Sequence, residues 1–442
     1  MPITDEIRAK KSPRSLAFLL RGKAFASHGQ WHLDKNDEAM RRSTAVKESP
    51  TIASAIQNSR LFCSLFFLGG GVGIGAWASS LPVLCIQMSL AKGQLGLVLI
   101  CFALGAIAMM VNVGRLVAIV PSSLLSLFGS LTFGFALLAV PWAGGALSLA
   151  MIVFLAGAGF GTLDVSMNTD ASALERLMRR QVMSSFHAVF SFGSLAGALV
   201  VGRILSGGGA LSLCLGVTGI GVAAVALVAW AGWNQLSWIH APAAAVEIGD
   251  ARSQSAFNRH LYLLGGLAFL GMLAEGGMID WSAIYIVTRS GGSESAGAYG
   301  FAAFSTMMAM GRLFGDAIAN SIGQVRTLRY CAVVCAGSVL AMILMGGNLI
   351  IVFVALTVCG LGLANIVPTL FAAAGRVGDK SAARAMSIVT TIGYAGLLLG
   401  PGLLGLIAQI SSLAGSFSVI ALAFVAISFL APSLMHRKDG TS

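Results

Sequence analysis

The chain has 442 residues, of which 57% are hydrophobic and only 10% charged, with a mean hydropathy of +0.86 and a formal net charge of +11. Water-soluble domains carry about 25% charged residues, so a deficit this deep excludes a protein surrounded by water. The apolar runs are continuous rather than alternating, which excludes a transmembrane barrel and leaves helices, whose backbone groups are satisfied internally in lipid.

Residues 1–58 are polar and basic and read as a disordered cytoplasmic extension. The extension lacks an apolar core followed by a small-residue cleavage site, so it is not a secretory signal, and Met40 offers an alternative start. A helix needs about 20 apolar residues to cross a bilayer core of about 30 Å. Stretches that meet this need lie near 60–83, 93–114, 121–142, 146–170, 183–204, 210–234, 260–287, 295–318, 326–346, 349–375, 383–408 and 412–434. A polar segment at 235–259 divides these twelve spans six and six, giving expected bundles at 59–234 and 260–435 and a short tail at 436–442.

With the N-terminus inside, every Lys and Arg except Lys92, Arg203 and Arg289 falls on the cytoplasmic side. This positive-inside bias predicts a multi-pass inner-membrane protein with both termini cytoplasmic, and it accounts for the positive charge without nucleic acid. Trp142 is expected at the outer interface, and Trp230 and Trp233 at the inner one. All seven cysteines fall inside spans and read as small packing residues. Cys331 and Cys335 share a helix face, but no histidine lies near, so no metal site is expected.

The two sets of spans are related. Shifted by about 203 residues, "GAGFGTLDVSM" (157–167) falls on "GLGLANIVPTL" (360–370), and "MSSFHAVFSFGSLAGA" (183–198) on "MSIVTTIGYAGLLLGP" (386–401). Nearby shifts place "MMVNVGRL" (109–116) on "TMMAMGRL" (306–313) and "FLG" (67–69) on "FLG" (269–271). The matched positions are mostly glycine, which lets helices approach closely. Duplicated helical halves commonly enclose a cleft and rock around it.

These features resemble the major facilitator superfamily over roughly residues 59–435. "GRLFGD" (311–316) resembles that family's cytoplasmic loop signature. In the first half the equivalent is "GRLVAIVPSS", where Ala118 replaces the acid. The blocks "GTLDVSMN", "SSFHAVFSFGSLAGA", "AEGGMIDWSAIY" and "GLGLANIVPT" resemble the MosC-like branch, distantly similar to fucose permeases. The resemblance implies an all-α polytopic membrane protein, twelve transmembrane helices in two pseudo-symmetric six-helix bundles, working as a monomer without a cofactor. It further implies proton-linked transport of a small polar, sugar-like solute. The acid that fucose permeases carry in helix 1 has no counterpart in 60–83, so fucose specificity is not implied. The resemblance also makes Gly311, Arg312, Gly315 and Asp316 a cytoplasmic gating motif, with Asp316 clasping Arg312 and either Arg376 or Arg384.

Few acids fall within spans, and intramembrane ionisable residues usually mark ion or substrate paths. Asp164 and Asn168 share a helix face at i, i+4. His187, on the next span, is expected at the same depth as Asp164, which points to a proton-sensitive Asp164–His187 pair. Glu275 lies near mid-membrane beside two glycines and is the third proton-coupling candidate. Asn168, Asp280, Trp281, Asn365, Thr369, Thr390 and Tyr394 are expected to line the substrate cavity, Trp281 by stacking on a sugar-like ring. Asn112 and Thr391 are further polar residues within spans that could face it.

No P-loop pattern is present, so protons and not ATP are the expected driver. No HExxH or GxSxG pattern assembles an enzyme. The remaining alternatives are an efflux pump for amphipathic compounds, which the 18 methionines would suit, and a non-transporting membrane sensor.

Overall fold

The computed structural model describes residues 50–117, 119–178, 182–234, 259–377 and 382–435. Residues from Ser54 onward form one compact unit, and the description below concerns it. The expected extension up to residue 49, most of the 235–259 linker, the 436–442 tail, and the side chains of Asp316, Arg376 and Arg384 lie outside the described residues.

The described residues are all-α. In chain order the helices are α1 (Pro50–Gln87), α2 (Lys92–Leu116), α3 (Ser122–Ala139), α4 (Ala146–Met178), α5 (Met183–Ser206), α6 (Leu211–Asn234), α7 (Arg259–Arg289), α8 (Glu294–Ile322), α9 (Gln324–Leu344), α10 (Leu349–Leu363), α11 (Ile366–Val377), α12 (Ala382–Ile410) and α13 (Leu413–Met435). A 3-10 turn, Val140–Trp142, closes α3. α10 and α11 together make one span, interrupted by a turn at Ala364 and Asn365. Among the described residues, eleven helical segments are long and apolar enough to cross a membrane. α8 has the length but is more polar and is not among them, because Arg312 and runs of Gly, Ser and Thr dilute its apolar residues.

Three ends depart from expectation. α1 begins at Pro50, inside the stretch expected to be disordered. α4 continues to Met178 and α8 to Ile322, past the ends of their apolar runs. Helix does not stop where hydrocarbon stops, since a helical backbone is equally satisfied in the polar boundary layer.

Local chemistry sets the turns. Ser293 Oγ accepts from the Ala296 amide and caps α8. Asn348 Oδ1 accepts from the amides of Ile350 and Ile351 and caps α10. Gly323, at φ 88, reverses the chain between α8 and α9 with no Cβ penalty.

The repeat read from sequence is also a repeat in packing. Gly157 lies against the Phe102 carbonyl, and its match Gly360 against the Phe304 carbonyl. Gly193 lies against the Leu68 carbonyl, and its match Gly396 against that of Phe269. Gly197 and Gly400 repeat the relation one turn on, against Val72 and Leu273. A Cβ at any of these positions would strike backbone or the neighbouring side chain, so the glycines are what lets α4 meet α2, α5 meet α1, α10 meet α8 and α12 meet α7. The helix pairs follow the same order: α3 packs on α6 as α9 packs on α13, and α5 meets α8 as α12 meets α2.

The last two pairs join the first six helices to the rest. Their close contacts sit at the end of the bundle opposite the start of α5 and the end of α13, the far end. There the Gly93 amide donates to Gln409 Oε1 at 3.0 Å, Gly96 lies against Gly402 and Gly405, and Gly202 lies against the Tyr299 ring. Trp142 is 76% exposed, as an interface anchor would be, whereas Trp233 is buried beside Cys63, Phe66 and Phe67 and is a packing residue.

Candidate functional site

A cavity of about 410 Å³ lies between the two sets of helices, within the usual range for small-molecule sites. Its walls come from α1, α2, α4, α5, α7, α8, α11, α12 and the Ala364–Asn365 turn. α3, α6, α9 and α13 contribute none of the lining. Leu99 of α2 and Pro401 of α12 are the lining residues of those helices nearest the far end. Toward the opposite end it reaches Met183 and Ser184 in the first turn of α5, and Ser184 is exposed, so the cavity opens on the side where α5 begins and α13 ends.

Aromatic rings form much of the wall on the first-half side. Trp77 stacks on Phe102 with ring centroids 6.2 Å apart, Phe102 meets Phe160 at 5.9 Å, and Phe160 meets Phe190 at 6.4 Å. Five methionines, Met110, Met167, Met183, Met272 and Met308, also face the space.

The polar centre is an ion pair. Arg312 Nη2 of α8 donates to Glu275 Oε1 of α7 at 2.8 Å, and Arg312 Nη1 donates to Ser191 Oγ of α5 at 2.8 Å. The two charged side chains are 19% and 13% exposed, and theirs is the only Lys/Arg–Asp/Glu pair among the described residues. One guanidinium therefore holds the coupling candidate of the second half and a hydroxyl of the first. Ser191 Oγ in turn donates to the His187 carbonyl at 3.1 Å. His187 lies within electrostatic reach of Arg312, and its ring meets Phe67 edge-on at 5.6 Å. Tyr394 of α12 faces the same space within electrostatic reach of Asp164, Glu275 and Arg312.

The clasp expected at the loop rests on Asp316, Arg376 and Arg384, whose side chains lie outside the described residues. Arg312 is ten residues before the end of α8, about 15 Å along its axis, and its described partners are Glu275 and Ser191. Gly311 and Gly315 serve packing: a Cβ on Gly311 would come within 2.6 Å of the Ala364 Cβ, and one on Gly315 would strike the Asn365 side chain. The signature glycines thus seat α8 against the turn in the tenth span.

Asp164, His187 and Glu275 all line the cavity, as do Asp280, Asn365 and Tyr394. The expected Asp164–His187 bond is not formed. The Asp164 carboxylate instead accepts from Asn168 Nδ2 at 3.2 Å. The reason is depth. Glu175 Oε2 accepts from the Val182 and Met183 amides, which sets the start of α5 level with Glu175. From that level Asp164 is about 16 Å along α4 and His187 about 6 Å along α5.

The other candidates turn elsewhere. Asn168 spends its amide on the Asp164 carbonyl and carboxylate and does not line the cavity. The Thr369 hydroxyl donates to the Asn365 carbonyl at 2.6 Å, and Thr390 is also absent from the lining. Asn112 and Thr391 are exposed. Trp281 is 1% exposed and its indole N–H donates to the Pro401 carbonyl at 2.9 Å, so it packs α7 on α12 and stacks on no ligand. Trp281→Phe should leave transport intact and lower stability by about 1 kcal/mol, the worth of one neutral hydrogen bond, read as a fall in melting temperature. Among the described residues no cluster of metal-binding side chains exists.

The sequence profile of the Major Facilitator Superfamily matches residues 61–401. The chain belongs to that superfamily. An uncharacterised MFS-type transporter of Yersinia pestis is 33% identical over 365 residues, covering 82% of this chain and 92% of its own. The membrane protein MosC of Rhizobium meliloti is 29% identical over 347 residues, covering 78% and 82%. Among solved structures, a bacterial homologue of the human lysosomal transporter Spinster, inward-facing and occupied, superposes with a TM-score of 0.64 at 15% identity, over 88% of this chain and 96% of that one. The transporter FucP in its outward conformation gives 0.58 at 18% identity, over 87% and 100%. This superfamily member therefore has the all-α major facilitator fold and is a membrane transporter.

Proposed function

We propose that this protein is a proton-coupled secondary transporter. It moves a small polar, sugar-like solute across the bacterial inner membrane by alternating access, with both termini cytoplasmic and the conformation described here open to the cytoplasm. The observation that carries this reading is the Arg312–Glu275 ion pair in the wall of the central cavity, with Arg312 also bonded across to Ser191 of the other half. A carboxylate that neutralises a buried guanidinium is a proton acceptor whose state alters the contact between halves. A proton arriving on Glu275 releases Arg312, and the Arg312–Ser191 link is then free to break as the halves rock. Asp164 and His187, which line the same space on the first-half side, are the further proton-carrying candidates.

The test uses the full chain in liposomes with an imposed pH gradient and an internal pH dye. A panel of neutral sugars, inositols, amino sugars and amphipathic drugs is added in turn. At least one solute should drive proton movement in the wild type, and Glu275→Gln should abolish it while solute still exchanges down its own gradient. If Glu275→Gln accumulates solute as the wild type does, Glu275 is not the coupling group. A second reading, efflux of amphipathic compounds, is favoured by the five methionines and the aromatic wall, which adapt to varied apolar shapes. The drug members of the panel decide between the two.

A further inference from the structure

We propose that the transported solute is cationic, in chemical class a protonated amine, and that Asp280 is the carboxylate that receives its charge. This deepens the reading above and rests on it.

The charge inventory of the cavity is unequal. Arg312 is occupied by Glu275 and Ser191. Asp164 has a neutral donor, Asn168. Asp280 lines the cavity and has neither a hydrogen bond nor an ion pair among the described residues. It lies five residues beyond Glu275 on α7, about 7.5 Å further toward the far end, where Arg312 does not reach. An unpaired carboxylate in low-dielectric surroundings is costly, and a bound cation removes that cost.

A further feature fits the same ligand. The cavity wall carries the stacked rings of Trp77 and Phe102, together with Phe301, and aromatic faces attract cations. Asn365 also lines the cavity, but its Oδ1 is turned onto Gly315 of α8 and is not counted among the ligand's contacts. By contrast, no unpaired Lys or Arg lines the cavity among the described residues, so a carboxylate or phosphate solute would find no counter-charge.

The test places a reporter thiol next to the carboxylate. Ile279→Cys in the full chain is labelled with a trimethylammonium-ethyl or a sulfonato-ethyl methanethiosulfonate, and modification is read by peptide mass spectrometry. After correction for intrinsic reactivity, the cationic reagent should react about tenfold faster, as expected where a charged cleft concentrates counter-ions. The preference should collapse in Ile279→Cys/Asp280→Asn and largely survive in Ile279→Cys/Asp164→Asn. Ile74→Cys on the opposite wall is the second reporter should Ile279→Cys fold poorly. Equal or faster reaction with the anionic reagent, or a preference indifferent to Asp280→Asn, overturns the proposal.

Matched solutes supply the ligand arm. Glucosamine against N-acetylglucosamine and tyramine against N-acetyltyramine differ in the charged amine. Amines should protect the reporter and their acetylated forms should not. Equal protection by the neutral forms overturns the proposal. Proton-driven flux of a neutral solute that survives Asp280→Asn would sink the cation assignment while leaving proton-coupled transport standing.

Discussion

Arg312→Gln will abolish solute accumulation and lower the stability of the purified protein, whereas the double variant Arg312→Gln/Glu275→Gln will recover much of the stability and none of the transport. The reason is the asymmetry of a buried ion pair. Removing one partner strands the other charge in the cavity, while replacing both leaves two neutral amides that bond each other or water. Arg312 and Glu275 are 2.8 Å apart and both largely withdrawn from solvent. A charge-assisted hydrogen bond in such a place contributes about 1.5–3 kcal/mol. A double-mutant cycle on melting temperature isolates the coupling between the two side chains from their separate effects. Additive single effects would mean that the pair carries no energetic coupling, and Arg312 would then be a packing residue. Accumulation against a gradient must fail in every variant, because coupling needs a group that exchanges a proton against a fixed positive charge.

Gly96→Val will trap the transporter open at the far end. An added Cβ on Gly96 would come within 2.8 Å of the Gly402 carbonyl and 3.1 Å of Gly405 Cα, both on α12, so the clash lies wholly across the seam between the two sets of helices. Neither half's own core is touched, and the variant should fold. Forcing extra volume into a close-packed seam costs about 1–3 kcal/mol. Set against only one of two conformations, that cost shifts their ratio by roughly 5- to 150-fold. With Ile279→Cys as reporter in sealed vesicles, a membrane-impermeant maleimide added at the far end should label Gly96→Val faster than the parent. Net transport should drop at least tenfold. Unchanged labelling from that side would show that the α2–α12 seam does not act as a gate.

Much of this architecture was legible in the residues. Continuous apolar runs mark the spans because a backbone in lipid has no other way to satisfy its hydrogen bonds. The duplicated glycines were legible too, since the seams they permit repeat in space: Gly193 with Gly396, and Gly197 with Gly400. Asp164, Glu275, Asp280, Asn365 and Tyr394 could be picked out as cavity residues because polar groups within spans are rare and rarely face lipid.

What composition could not decide was depth and facing. The polar end of α4 continues as helix to Met178, which carries Asp164 away from His187, and α8 brings Arg312 to Glu275 of α7. The signal available was weak: Arg312 repeats as Arg115 in the first half, yet Arg115 is exposed, so the match alone pointed to the surface. Trp281 sits on α7, whose acidic residues, Glu275 and Asp280, do not indicate which way a neighbouring indole turns. Cavity wall and helix seam are built from the same apolar residues, and only the packing of α7 on α12 sends Trp281 to the Pro401 carbonyl while leaving Asp280, one residue earlier, facing the space.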